Sequence, residues 1–575
     1  MPLPDGFRVA LDPGARWIGD GTVLVGGSPI RLLRLTTTGR KLVDRLGAGE
    51  PVPRSSAAQR LTRRLLDAGL AHPRPQARGP ASPADVAVVI PVRNDTAGLS
   101  ATLAALVAGD RVPRQTTLAP CESRAGTSCS NPKPGQERAL ARSAGKDGRR
   151  YSAGAPWRDC DQGGGGHDGR PGSDHVPADD PLRVVVVDDA SDDPVGVKAR
   201  CTAPEVTLLL RGAQGGPAAA RNEGWRATSA EVIAFVDANC EPEQGWLTKL
   251  LPHFADPQVA AVAPRILPPT EERYAGTEVM AAYEAAASPL DLGEREAIVR
   301  PRSPVAYVPT AALVVRRSAL EALGGFDEGL TVGEDVDFVW RLVAAGWTVR
   351  YEPRAVVRHP IRPSWRAWLQ QRYRYGTSAA PLARRHGWAV APAVVSPWTA
   401  AAWALVAGGQ PFLGAAAAGY SVARLAGVHP TGAGNETTTE WSFRSQLSVA
   451  GQFGGRDGRF RLPVREAVRL AGLGHLRGGL ALARAVRRAW APAAVLLAVK
   501  SRRSRPALAA AVIVPGALEW LQRRSRLEPV RFCTLRLVDD LAYAAGVWTG
   551  CARERSPRAL LPDLRSARGG SGGPN

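Results

Sequence analysis

A chain of 575 residues, 44% of them hydrophobic, has apolar content for a sizeable core and length for about two to four domains. Its net charge of +21 is carried almost wholly by arginine and suits an anionic membrane surface or a phosphate-bearing substrate. No helix-turn-helix, zinc-finger or aromatic-basic strand signature accompanies that charge, which sets nucleic acid aside. The cysteines (Cys121, Cys129, Cys160, Cys201, Cys240, Cys533, Cys551) are scattered and odd in number, and the first residues lack a basic region followed by an apolar run. Reduced thiols in a cytoplasmic protein are the expectation.

Residues 1–80 read as a separate small unit. Short alternating runs, Thr22 to Val25 and Ile30 to Leu35, precede a helix that Thr36 to Thr38 can cap, and a second helix ends at Gly69. Strands followed by two helices predict a winged-helix-like module. The run RLLRLTTTG at 31–39, with the helices and the GLAHPRP that follow, resembles peptide-recognition domains of ribosomal-peptide modification systems. A packing extension of the next domain is the alternative.

A strand from Val86 to Ile90 runs into Pro91, Val92, Arg93, Asn94 and Asp95, then a helix from Gly98 to Ala108. The next parallel strand should follow quickly, but residues 110–180 are rich in Gly, Pro, Ser and Arg and cannot bury a core. They read as a low-complexity insertion or a sequence artefact. Alternation then resumes with a strand from Leu182 ending at Asp188 and Asp189, a strand from Val206 to Leu210, a helix after Gly215 and Gly216, and a strand ending at Asp237. Such alternation predicts an α/β fold with a doubly wound, mostly parallel sheet over residues 85–380. The glycines at 212, 215 and 216 do not form G-x-G-x-x-G, which disfavours a dehydrogenase.

Carboxylates at strand ends lie on the rim where parallel sheets bind ligands. Glu334 and Asp335 open an amphipathic helix. Together these suit a metal-bound nucleotide diphosphate beside a proton-accepting carboxylate.

The set PVRND (91–95), VVVVDDASDD (184–193), GGPAAARNEG (215–224), FVDAN (235–239) and GEDVDFVWRL (333–342) resembles the inverting family 2 glycosyltransferases. These have the glycosyltransferase A-type, nucleotide-diphospho-sugar transferase fold. Within them, SPLDLG (288–293), VPTAALVVRR (308–317) and RYGTSAAPLARRHG (374–387) are similar to the enzymes of the mycofactocin system. The resemblance implies transfer of glucose from UDP-glucose, with Mg²⁺ or Mn²⁺, to a peptide-derived redox cofactor or its precursor. A precursor peptide or a biosynthetic partner protein is a further implied partner.

On that resemblance, Pro91, Val92 and Asn94 form a wall of the nucleotide pocket and Asp188 or Asp189 accepts from the uracil imide. Arg221, close after the glycine turn, meets the diphosphate. Asp237 is the main metal ligand; the family's D-x-D is here Asp237-Ala238-Asn239, so Asn239 offers a neutral carbonyl to the metal or touches ribose. Glu241 or His359 completes the sphere. Asp335 is the general base and Glu334 orients it or binds the acceptor, while a purely electrostatic role at a helix N-terminus is the alternative. Gln371, Arg374 and Tyr375 match the Q-x-x-R-W spacing of processive members, with tyrosine for tryptophan, which implies successive sugar additions.

From Gly387 to Ala423 no Asp, Glu, Lys or Arg occurs, but prolines and glycines interrupt the run. One membrane span, a shallow hairpin and a re-entrant or interfacial segment all fit. Apolar runs at Ala489–Val499 and Ala507–Leu518 flank KSRRSR, so residues 387–555 are expected to associate with the inner face of the cell membrane. Residues 429–461 read as low complexity and 556–575 as a disordered tail. Two other functions fit: a family 2 transferase acting on a lipid or cell-wall polymer, and a peptide-binding protein whose transferase domain is degenerate at Asn239.

Overall fold

The computed structural model describes residues 2–18, 21–27, 30–75, 85–109, 182–269, 278–426 and 464–564. The low-complexity stretches expected at 110–180 and 429–461 lie outside them.

The strand Val86–Val92 is an unbroken apolar run because both its faces are covered. Val86, Val88 and Ile90 enter one hydrophobic layer with Trp246 and Phe254, while Ala87 and Val89 enter the opposite layer with Phe235 and Phe338. This strand pairs in parallel with Arg183–Asp188 on one side and Val232–Val236 on the other. Val206–Leu210 closes that edge, again in parallel. Across Val232–Val236 lies Ala312–Arg316, antiparallel to both its neighbours, and beyond it Val259–Leu267 and Thr348–Arg358 run parallel to each other. The sheet is therefore mixed and mostly parallel. Its parallel strands all deliver their carboxyl ends to one rim, which brings Val92, Asp188, Val236 and Arg358 to the same side.

At the N-terminus, Arg16–Ile18, Val23–Gly26 and Arg31–Arg34 form a meander, and Val9–Leu11 pairs with Ala71–Pro73. The helices Thr37–Gly47 and Ser56–Asp67 are capped by Thr36 and Ser55, whose hydroxyls accept from Gly39 N and Ala58 N. The unit is fastened to the large sheet's domain by Arg63 on Asp256 (2.6 and 2.9 Å) and Arg74 on Glu296. It also meets the helix Val464–Arg488, through Arg16 with Glu466 and through Ala467 packed on Val23 and Val25.

The C-terminal helices pack onto the large sheet's domain, Phe532 among Met280, Tyr283 and Trp368. Among the described residues no helix is long and apolar enough to cross a membrane. The helix Trp365–Thr377 crosses the helix Pro529–Arg553 in backbone contact at Gly376 and Gly546. A Cβ on Gly546 would lie 2.0 Å from the Tyr373 carbonyl oxygen, and one on Gly376 2.1 Å from that of Tyr543. Under this crossing, Arg372 reaches Glu284 and Asp539, and Arg536 reaches Glu519, Asp539 and Asp540. The tail expected from 556 onward is also docked as far as 564. Asp563 is buried, forms an ion pair with Arg302 and exchanges backbone hydrogen bonds with Ala393 and Val395. A short, polar, glycine-rich ending gives no apolar periodicity from which that docking could be read.

Gly546→Ala must force the two helices apart. It is expected to destabilise the protein by about 1–3 kcal/mol, read as a lowered midpoint in chemical denaturation.

Candidate active site

The rim opens onto a cavity of about 1070 Å³. Pro91, Val92, Asp189, Arg221, Asp237, Asn239, Glu334, Asp335, His359, Gln371, Arg374 and Tyr375 all contribute to its wall. Residues spread over nearly three hundred positions of sequence are thus brought to one place.

Asn94 and Asp188 are not in that wall. Asp188 is buried, and its carboxylate accepts from the backbone N–H and hydroxyl of Ser191. Asn94 adopts φ 54°, accepts from Asp192 N at 2.8 Å and donates to the Asp192 carboxylate at 2.9 Å. Both residues brace the two loops that frame the cavity. Asp189 faces the cavity, with one carboxylate oxygen accepting from Gly215 N and the other from Gly216 N, each at 2.8 Å. Arg211 also pairs with the first of these oxygens at 3.0 Å; a carboxylate has about four acceptor positions, so about one remains for a ligand.

Arg221 sits in the middle of the helix Gly216–Arg226 rather than at its N-terminus. Its guanidinium donates to Asp237 at 2.8 Å and to Glu334 at 3.0 Å and lies over the Phe326 ring. Burial opposes its charge, but Asp237 and Glu334 outweigh burial and raise its pKa. Arg221 is therefore committed to joining two acidic motifs. Sequence spacing could not show this, since the partners are remote in the chain.

Glu334 and Asp335 begin the helix Glu334–Ala344, which Gly333 enters at φ 87°. A Cβ at Gly333 would lie 3.0 Å from Ser378, so the entry needs glycine twice over. Burial, then the charge of Glu334, pushes the Asp335 carboxyl up to about 7. Asp337, one turn on, is buried and bound by Arg341 and His386 at 2.7 and 2.8 Å, so it anchors the helix.

Asp237, Asn239 and His359 offer a carboxylate, an amide carbonyl and an imidazole to the same space. The Asn239 Oδ1 is buried without a hydrogen-bond partner. The His359 Nδ1 lies 2.8 Å from the Pro360 carbonyl and must donate to it, which leaves Nε2 with a lone pair. Burial lowers the His359 pKa and keeps the ring neutral. An orphaned oxygen and a neutral imidazole oriented by a carbonyl fit a divalent cation with oxygen and nitrogen ligands. Among the described residues no group of three or more His, Cys, Asp or Glu is suited to a metal ion. Glu241, the other candidate ligand, lies on the short strand Glu241–Pro242 and outside the wall.

On the helix Trp365–Thr377, Gln371 donates to the Tyr375 hydroxyl at 2.9 Å and accepts from Arg372. Arg374 lines the cavity without an ion pair to any described residue. Tyr307, Trp340, Arg488 and Tyr543 also line it, and sequence reasoning missed all four. Trp340 lies within the motif 333–342 but carries no charge to mark it, and the other three sit outside the carboxylate motifs, on a loop and on helices that read as packing or membrane segments.

A mixed, mostly parallel sheet whose carboxylate-bearing strand ends open onto one cavity is the architecture expected of a nucleotide-sugar transferase. The chain belongs to the family 2 glycosyltransferases, in the branch related to the mycofactocin system. Residues 232–427 match the model of "Glycosyl transferase family group 2". Over 575 residues the chain is 38% identical to the pre-mycofactocin glycosyltransferase of Mycobacterium tuberculosis (strain ATCC 25618 / H37Rv), covering 98% of this chain and 99% of the relative. It is 30% identical over 198 residues to glycosyltransferase AglE of Haloferax volcanii, covering 34% of this chain and 61% of that protein. Among solved structures, a mannosyltransferase from Pyrobaculum calidifontis in complex with GDP-Man and Mn²⁺ aligns at TM-score 0.33 and 18% identity, covering 61% of this chain and 77% of that one.

Arg221→Met leaves two carboxylates facing each other without a counter-charge. A loss of about 3 kcal/mol or more is expected in denaturant titration at pH 8. The loss should shrink at acid pH, where the orphaned carboxylates take up protons.

Proposed function

We propose that this chain transfers glucose from UDP-glucose to pre-mycofactocin, the acceptor in the name of its M. tuberculosis relative, with inversion at the anomeric carbon. The observation that carries the reading is a carboxyl of raised pKa, Asp335, sharing one cavity with Asp237, Asn239 and His359 in a chain 38% identical end to end with that relative.

Pro91, Val92 and Asp189 bound the space for the uridine, with Asp189 as acceptor for the imide N–H. Asp237, Asn239 and His359 would hold Mg²⁺ or Mn²⁺, which when bound neutralises charge on the donor's diphosphate. Arg221 holds Asp237 and Glu334 in place through its two ion pairs. Asp335 accepts the proton of the acceptor hydroxyl as its oxygen bonds to the anomeric carbon and the bond to the diphosphate oxygen breaks. Entry opposite the leaving group inverts the centre. Arg374 faces the departing diphosphate, and Tyr375, steadied by Gln371, offers a flat ring to a terminal sugar in successive additions. The N-terminal unit, with its meander and two capped helices, is read as a winged-helix-like module for a peptide partner.

The C-terminal helices also carry a face suited to the inner surface of the cell membrane. Phe412 is 89% exposed, Val499 70%, Val495 63% and Leu496 62%. The turn at Gly409 lies against Arg503, so these side chains adjoin Lys500, Arg502, Arg503 and Arg505. No acidic residue occurs between Glu466 and Glu519. Apolar tips ringed by cations match the headgroup region of an anionic bilayer.

Purified protein with Mn²⁺ should release UDP from UDP-glucose faster when pre-mycofactocin is added. Asp335→Asn should lower kcat by about 10²- to 10⁴-fold. A base works only when ionised, so kcat/KM of the wild type is expected to fall as pH drops through about 7. Release indifferent to Asp335 would remove the base assignment. For the membrane face, co-sedimentation with phosphatidylglycerol vesicles is expected and should be lost in high salt and in Val499→Asp; equal binding to neutral vesicles would contradict the electrostatic reading.

A further inference from the structure

The cavity is larger than a donor site alone requires. At about 1070 Å³ it exceeds the upper end of the range, about 300–1,000 Å³, for a pocket holding one small ligand. The donor motifs account for the wall from Pro91 to Asp237. A second part is built by Tyr307, Tyr375, Arg488 and Tyr543, from a loop, the helix Trp365–Thr377 and two C-terminal helices.

These groups are close neighbours. The Arg488 guanidinium stacks 4.1 Å from the centre of the Tyr543 ring and donates to Asp540 at 3.2 Å. Tyr307 lines the same cavity as Asp335, Tyr375, Arg488 and Tyr543. Tyr307 and Tyr543 are half-buried in the cavity wall, and their hydroxyls make no hydrogen bond to another described residue. Each is open to a ligand's polar group while its ring offers an apolar face. The acids at this end, Glu519 and Asp539, are occupied by Arg536. What is left for a ligand is flat aromatic surface and hydroxyls, with Arg488 already on Asp540 and Arg523 further along the same wall. The backbone contact at Gly376 and Gly546 fixes Tyr543 against Tyr375's helix, so the surface is preorganised.

We propose that Tyr307, Arg488 and Tyr543 form the acceptor subsite, which takes a ring-bearing alcohol and presents its hydroxyl to Asp335. This rests on the transfer reading above. It gives the C-terminal helices a part in substrate recognition that is separate from any contact with a membrane.

The experiment compares wild type, Tyr543→Leu, Tyr543→Phe and Tyr307→Phe, each checked for an unchanged thermal midpoint, with UDP-glucose and pre-mycofactocin. Tyr543→Leu should raise the acceptor KM by about tenfold, with the donor KM within about twofold of wild type. Tyr543→Phe, which keeps the ring, should recover most of that loss. An unchanged acceptor KM, or a donor KM that rises equally, would overturn the subsite. Should wild type hydrolyse UDP-glucose yet leave pre-mycofactocin unmodified, the acceptor identity fails on its own. The subsite is then read by ligand-observed NMR with phenyl β-glucoside and UDP. Binding to wild type that disappears in Tyr543→Leu upholds it, and binding absent from wild type or retained in the variant refutes it.

Discussion

The buried guanidinium of Arg221 is the constraint on which the site depends. Asp237 ends a central strand and Glu334 begins a helix almost a hundred residues later, and both carboxylates face a shared, partly dry cavity. Two like charges there repel, and each is costly to desolvate. One arginine from a third element compensates both and fixes their separation. Burial, then the charge of Glu334, raises the proton affinity of the adjoining Asp335, and the Arg221 charge opposes that rise. Arg221 thus sets the geometry of the two carboxylates.

A second constraint ties the C-terminal helices to the catalytic sheet. Arg372 on the helix of Gln371 and Tyr375 is buried against Glu284 and Asp539, and Asp540 collects Arg487, Arg488 and Arg536. Breaking one of these pairs leaves a charge stranded, so the network holds these helices in one arrangement. The helix Val464–Arg488, about 37 Å long at 1.5 Å per residue, begins against the N-terminal unit at Glu466 and ends in the cavity wall at Arg488. A single rigid element therefore touches both the unit read as peptide-binding and the transfer site.

The catalytic half was legible because its signals are local. Apolar β-branched runs that end in carboxylates fix both the strand and the rim, and Gly333 before Glu334 and Asp335 fixes a helix start. Within those motifs, however, the sequence did not separate wall from brace. Asp188 and Asp189 are adjacent and identical in type, yet one closes a turn with Ser191 and the other faces the cavity. Alternation of side-chain direction along the strand end separates them, and the register that decides which faces inward depends on the neighbouring strand.

The sequence by itself determined the α/β class, the family, the acidic motifs and the acid-free basic stretch between Glu466 and Glu519, because each is a property of short segments or of composition. Only the tertiary structure decided that Arg221 serves two carboxylates, that Asn239 has an orphaned oxygen, and that Tyr307, Arg488 and Tyr543 share a cavity with Asp335. The physical reason is common to all three. Pairing, burial and hydrogen-bond satisfaction belong to contacts between distant residues, and a linear pattern carries no record of which distant residue will arrive.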